Sequence, residues 1–197
     1  MSDQPIPQKL DDLDPPRDTP DVSLGFLLVT TFGLGYMRPA SGTWGSMPPA
    51  ALALGLVTLV IAFGLPWGVY VAPLVAILLA SCAACVLMGD RAEARFGKKD
   101  ASEIVADETA GQCLPLFVVP LFVPAGEDGF WTAFVVSAVL IAASFVAFRA
   151  FDIGKLEPAN ALQNVPGGWG VLLDDLVAGV YAAIAVGVIG LGMVALL

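Results

Sequence analysis

Apolar residues in this chain come in long runs, not in the short alternations of a soluble fold. A helix that crosses a bilayer needs roughly 20 of them in succession. Residues 47–65 supply one such run, opened by Pro48 and Pro49, and proline is tolerated where a helix begins. Residues 67–89 supply a second, set off by Leu65-Pro66-Trp67. Residues 130–148 and 176–197 supply two more. The run 113–124 is short and carries Pro115, Pro120 and Pro124; extended back to Ile104 it is long enough, and then includes Asp107 and Glu108. An earlier apolar stretch, residues 24–36, is short and contains glycine. It reads as a re-entrant or interfacial element tucked against the bundle, because irregular backbone at membrane depth needs protein or water to cover it.

Charge orders these crossings. The 9 basic residues fall in four places: Lys9 and Arg17; Arg38; Arg91, Arg95, Lys98 and Lys99; and Arg149 with Lys155. The connections near residue 66 and at 125–129 carry none. Basic loops stay in the cytoplasm, so 47–65 runs outward and 67–89 inward. Residues 130–148 must end inside at Arg149, which requires 104–124 to cross as well. The predicted fold is an all-α membrane protein: a polytopic bundle of about five transmembrane helices, with the N-terminus in and the C-terminus out. This order gathers the polar clusters at 33–46, 100–108, 149–155 and 166–175 on one rim.

Composition agrees and adds exclusions. The chain is 57% hydrophobic and 14% charged, with a mean hydropathy of +0.82, values rare in soluble domains. Residues 1–22 are acidic and proline-rich, and read as a disordered tail before a single membrane domain over 23–197. The acidic start lacks the basic-then-apolar pattern of a cleavable signal. There is no histidine, which rules out a Ser-His-Asp triad, His-ligated zinc and a phosphohistidine. Cys82 and Cys85 lie in an apolar run and read as packing residues. Cys85 and Arg91 have the C-x5-R spacing of cysteine phosphatases, but Val86-Leu87-Met88-Gly89-Asp90 between them is no glycine-rich phosphate loop, and the match is read as chance. Nucleic acid is not an expected partner.

Four polar clusters carry the candidate chemistry. In residues 31–46, Gly33, Gly35, Gly42 and Gly45 would let backbone approach an anion, with Thr43, Ser46 and Arg38 as donors; glycines in membrane helices also serve packing. Asp107-Glu108 opens a predicted helix, where one acid would satisfy the helix dipole and two suit a hard cation such as Mg2+. Arg149, Asp152 and Lys155 are spaced to share one side of a helical turn, as a salt-bridge set or as phosphate and metal ligands. Asp174-Asp175 follows a glycine-rich turn before the last span; capping accounts for one aspartate, not both. Acids this close to a bilayer are costly and mark function by default.

These stretches, in this order, resemble the phosphatidylglycerophosphatase A family. The matching segments are Ser41-Gly42-Thr43-Trp44-Gly45-Ser46, Ile104-Val105-Ala106-Asp107-Glu108, Phe148-Arg149-Ala150-Phe151-Asp152-Ile153-Gly154-Lys155, and Gly167-Gly168-Trp169-Gly170 through Asp174-Asp175 to Ala178-Gly179. Ser41 and Leu156 stand where the family has proline. The resemblance covers roughly residues 30–183. It implies a Mg2+-dependent enzyme of the bacterial cytoplasmic (inner) membrane, its site facing the cytoplasm, that removes the terminal phosphate of phosphatidylglycerophosphate to give phosphatidylglycerol.

On that reading Asp107, Glu108, Asp174 and Asp175 hold metal and take part in catalysis, with Asp152 as a helper. Arg38, Thr43, Gly45, Ser46, Arg149 and Lys155 bind the phosphate of the phospholipid substrate. Without histidine, either a carboxylate or a water is the nucleophile. The alternative is a small cation- or proton-coupled transporter, although transporter sites favour mid-membrane depth and repeated halves. The sequence leaves the oligomeric state open.

Overall fold

The computed structural model describes residues 23–99, 101–124, 129–162 and 168–196. The predicted tail 1–22 lies outside the described residues. All regular structure among the described residues is helical: α1 (Leu24–Val29), α2 (Ser41–Phe63), α3 (Gly68–Phe96), α4 (Ala106–Leu116), α5 (Gly129–Gly154), α6 (Ala159–Leu162) and α7 (Gly168–Val194), with 3-10 turns at Leu34–Tyr36 and Val119–Phe122. Four of these, α2, α3, α5 and α7, are long and apolar enough to cross a membrane. Their outward positions are large and apolar: Leu59, Leu79, Leu87, Val146, Ile184 and Val188 are all exposed. A surface this apolar suits lipid, not water.

The fifth expected crossing, residues 104–124, is not a long helix. Helix α4 has 11 residues and stops just after Pro115, and a 3-10 turn carrying Pro120 continues it. Together they run in the same direction as α7: Gly111 lies against Asp175, Val118 against Gly187 and Phe122 against Gly190. Leu116 and Val119 are fully buried, so protein covers the broken backbone, as such a break requires. The buried Tyr70 hydroxyl donates to the Leu116 carbonyl at 2.9 Å, satisfying a carbonyl that the end of α4 orphans.

Three helices begin or end elsewhere than their apolar runs. Helix α2 starts at Ser41, ahead of the expected 47, and holds Pro48 and Pro49 in its interior. Proline there removes the bond to the carbonyl four residues back; for Pro49 that is Gly45, whose carbonyl instead accepts the Thr109 hydroxyl at 2.8 Å. Helix α7 starts at Gly168, so Asp174 and Asp175 lie two turns inside it and cap nothing. Helix α5 continues to Gly154, which keeps Arg149 and Asp152 on helical spacing. Cys85 and Arg91 both lie in α3, so the C-x5-R spacing frames a helix and no phosphate loop.

Close helix contact rests on small residues. A Cβ on Gly168 or Gly89 would overlap the backbone of the facing helix where α3 meets α7. Gly111 and Gly179 do the same between α4 and α7. Such crossings let backbones approach in a bundle that has no hydrophobic drive between helices. The N-terminal element packs Phe26 and Val29 against Ala84, Cys85 and Ala92 of α3, and leaves Phe32 and Tyr36 exposed.

Candidate active site

The start of α2, the start of α4, the end of α5 and the second turn of α7 meet at one end of the bundle. They surround a cavity of about 330 Å³ lined by Ser41, Gly42, Asp107, Glu108, Arg149, Asp152, Lys155, Asp174 and Asp175, among others. The three charged clusters read from the sequence at 107–108, 149–155 and 174–175 thus converge on one space.

The α4–α7 crossing sets the acids. Asp107 stands four residues before Gly111, and Asp175 four before Gly179, so each acid is one turn above the glycine contact. Asp107, Glu108 and Asp175 each offer a carboxylate oxygen, and these lie within 4.8 Å of one another. Asp107 and Asp175 are 5% and 4% exposed. Asp107 Oδ1, Glu108 Oε2 and Asp175 Oδ2 have no hydrogen-bond partner among the described residues. Buried carboxylates in that state are costly, and each orphaned oxygen calls for a ligand.

The other two acids are paired. Lys155 Nζ donates to Asp174 Oδ2 at 2.7 Å, and Arg149 Nη1 donates to Asp152 Oδ2. Arg149 also approaches Glu108 Oε1 at 4.0 Å. Lys155 follows the end of α5 with a left-handed backbone, φ +41°; its amide closes the helix on Phe151 at 2.9 Å, and its side chain turns back to α7. A non-glycine residue in that region is strained, and strain of this kind gathers at functional sites. Ala40, just before α2, has φ +60°. Gly42 leaves room for the charged groups: a Cβ there would displace the Glu108 carboxylate and the Arg149 guanidinium, 2.7 Å away at Nη1.

The residues present fit a divalent cation. The cavity wall sets five carboxylates against two cations, an imbalance that 2+ would offset. The donors are all oxygens, the hard ligands that Mg2+ takes. The three-carboxylate group comprises Asp107, Glu108 and Asp175. Asp174, grouped with them on sequence grounds, faces Lys155 with one oxygen instead.

The glycine-rich segment contributes differently than its composition implied. Arg38, Thr43, Gly45 and Ser46 are not among the cavity-lining residues. Arg38 pairs with Glu103 at 2.6 Å on the surface. The Ser46 hydroxyl bonds to the Gly42 carbonyl of its own helix at 2.7 Å. Gly45 packs on Val105, 2.7 Å from where its Cβ would be. What reaches the cavity is the helix start itself. The Thr43 and Trp44 amides close on the Ala40 carbonyl, which leaves those of Ser41 and Gly42 outside the helical ladder. The N-terminus of a 23-residue helix favours an anion there. Sequence reasoning missed Ser41 as a lining residue because it placed the helix start at Pro48.

Comparison with known proteins identifies the family. A family model described as "Phosphatidylglycerophosphatase A" matches residues 27–190. The chain is 32% identical over 165 residues, 84% of this chain and 92% of the relative, to a protein of Bacteroides thetaiotaomicron named "Putative phosphatidylinositol-3-phosphatase". It is 33% identical to the phosphatidylglycerophosphatase A of Haemophilus influenzae, covering 81% of this chain and 85% of that one. It is also 33% identical to that of Escherichia coli, covering 80% and 78%. No solved structure matches. The matched span contains every residue of the carboxylate group and both ion pairs, and the chain belongs to the phosphatidylglycerophosphatase A family, an enzyme family of lipid phosphatases.

Proposed function

We propose that this protein hydrolyses the terminal phosphomonoester of phosphatidylglycerophosphate, releasing phosphatidylglycerol and phosphate, with Mg2+ as cofactor. The observation that carries the reading is the buried group Asp107, Glu108 and Asp175 beside Arg149 and Lys155. Three acids with orphaned oxygens would hold the metal, and Asp174 stands next to them. A bound Mg2+ supplies positive charge that draws electron density from the phosphoryl group.

The chain's own residues supply the rest. Arg149 presents a planar guanidinium suited to two phosphate oxygens. Its Nε is buried and has no hydrogen-bond partner among the described residues. Lys155 adds a compact charge, and the Ser41 and Gly42 amides add two neutral donors. Asp152 holds Arg149 in place, and Asp174 does the same for Lys155. The described lining residues include no histidine, cysteine or tyrosine. The carboxyl groups and the Lys155 ammonium are then the side chains suited to passing a proton, directly or through water, to the departing glycerol oxygen.

The site lies at one end of the bundle, within reach of a headgroup whose acyl chains stay in the bilayer. On this reading that end faces the cytoplasm from a bacterial inner membrane; the basic segments 91–99 and 149–155 support the cytoplasmic side by the charge rule. An end-on position also argues against the transporter alternative. The test is phosphate release by purified protein from phosphatidylglycerophosphate, phosphatidylinositol 3-phosphate and phosphatidic acid, with Mg2+ and with EDTA. Release from the first, lost in EDTA, is expected; preference for another lipid would reassign the substrate.

A further inference from the structure

One buried hydroxyl joins three elements immediately beside the acids. Thr109, 3% exposed, follows Glu108 in the first turns of α4. Its Oγ1 lies 2.8 Å from the Gly45 carbonyl of α2, 2.9 Å from the Val105 carbonyl of its own helix and 2.8 Å from the Thr31 hydroxyl just after α1. A hydroxyl has one proton to give. The Gly45 carbonyl needs it most, because Pro49, four residues on, has no N–H to offer, whereas the Val105 carbonyl already accepts the Thr109 amide at 3.1 Å. Thr109 then donates to Gly45 and accepts from Thr31. The same turn is held by backbone: the Val105 amide donates to the Val29 carbonyl at 3.0 Å and the Thr109 amide to the Val105 carbonyl at 3.1 Å. Gly45 lets this happen, since a side chain there would strike Val105.

We infer that Thr109 is a positioning residue for the reaction: its hydroxyl bridges the proline-freed Gly45 carbonyl of α2 to the Thr31 hydroxyl and so fixes the first turn of α4, which carries Asp107 and Glu108, against the start of α2. The inference rests on the proposed phosphatase reading. Thr109 touches neither the metal group nor the cavity; it acts through the two acids that precede it. Displacing a reacting group by about 1 Å costs on the order of a hundredfold in rate, and a lost bridge would allow a fraction of that movement.

The test uses the full chain in detergent, as Thr109→Val, Thr109→Ser, and Thr109→Val combined with Pro49→Ala. Valine keeps the shape and removes the hydroxyl; serine restores it; Pro49→Ala returns an N–H to the Gly45 carbonyl. Two readouts are taken: kcat and KM for phosphate release, and the Mg2+ concentration that half-raises the melting temperature. Thr109→Val is expected to lower kcat about tenfold with KM little changed, and to raise the half-effective Mg2+ concentration. Thr109→Ser should recover most of both. The double variant should regain melting temperature and not kcat. Wild-type behaviour of Thr109→Val in both readouts overturns the inference. So does equal damage from serine and valine, or recovery of kcat by Pro49→Ala. If the wild type releases no phosphate from any lipid, the phosphatase reading fails, and the Mg2+ readout alone decides Thr109.

Discussion

Gly179 of α7 lies so close to the Gly111 carbonyl of α4 that a Cβ on Gly179 would overlap it, and one turn from this contact Asp175 and Asp107 come together. A packing contact and a chemical site are thus one piece of geometry. Gly179→Ala must push α4 away, since backbone, not a flexible side chain, stands in the way. Overpacking of this sort costs about 1–3 kcal/mol, too little to unfold a bundle, but the separation falls on the acids. The expected result is a protein that inserts and purifies normally with phosphate release reduced at least about tenfold. Unchanged activity would mean that the acids do not depend on this crossing.

Removing a charge from the acid group should stabilise the metal-free protein. Asp107, Glu108 and Asp175 are like charges in a buried space, held within 4.8 Å, so neutralising one removes repulsion and desolvation cost together. Asp175→Asn should melt higher than wild type in EDTA. With Mg2+ the order should reverse, because wild type gains about 2.7 kcal/mol at a hundred times its Kd and the variant binds less tightly. Melting curves in both buffers check this.

Lys155 and Asp174 should behave as a unit. Asp174 is 5% exposed, and its bond to Lys155 is 2.7 Å. Lys155→Met leaves a buried carboxylate without its cation, a loss of about 3 kcal/mol for such a pair. Lys155→Met with Asp174→Asn should recover the melting temperature. It should not recover activity, since the ammonium is then still missing from the phosphate. Recovery of activity in the double variant would reduce Lys155 to a counter-ion.

Arg38 should matter little. It is bonded to Glu103 at 2.6 Å with its side chain 55% exposed, outside the cavity wall. Exposed pairs of this kind contribute about 0–1 kcal/mol. Arg38→Ala is expected to keep phosphate release within about threefold of wild type. A much larger loss would show that headgroup binding extends to this rim.

Much of this architecture was legible in the chain, and the exceptions share a cause. The long apolar runs identify four helices because a continuous apolar segment of about 20 residues satisfies its own backbone in lipid as a helix. The spacing of Arg149 and Asp152 on α5 was readable, since both follow from helical periodicity. The starts of α2 and α7 were not. Hydropathy marks where a helix enters apolar surroundings, but residues 41–46 and 168–173 are helical because they pack on Val105, Cys85 and Gly89. The prolines of α2 also misled, because the Thr109 hydroxyl answers the carbonyl that Pro49 orphans. The choice of Lys155 by Asp174, leaving Asp175 to the other acids, depends on which face of α7 meets α5, and no local pattern records that.

The most direct test of the central claim is phosphate release from phosphatidylglycerophosphate by purified wild type and Asp175→Asn across a Mg2+ titration. Removing one member of the acid group should lower the maximal rate by at least about a hundredfold, with no recovery at the highest Mg2+ and with the variant still folded. An Asp175→Asn protein that reaches the wild-type rate, or a wild type indifferent to EDTA, would contradict the account.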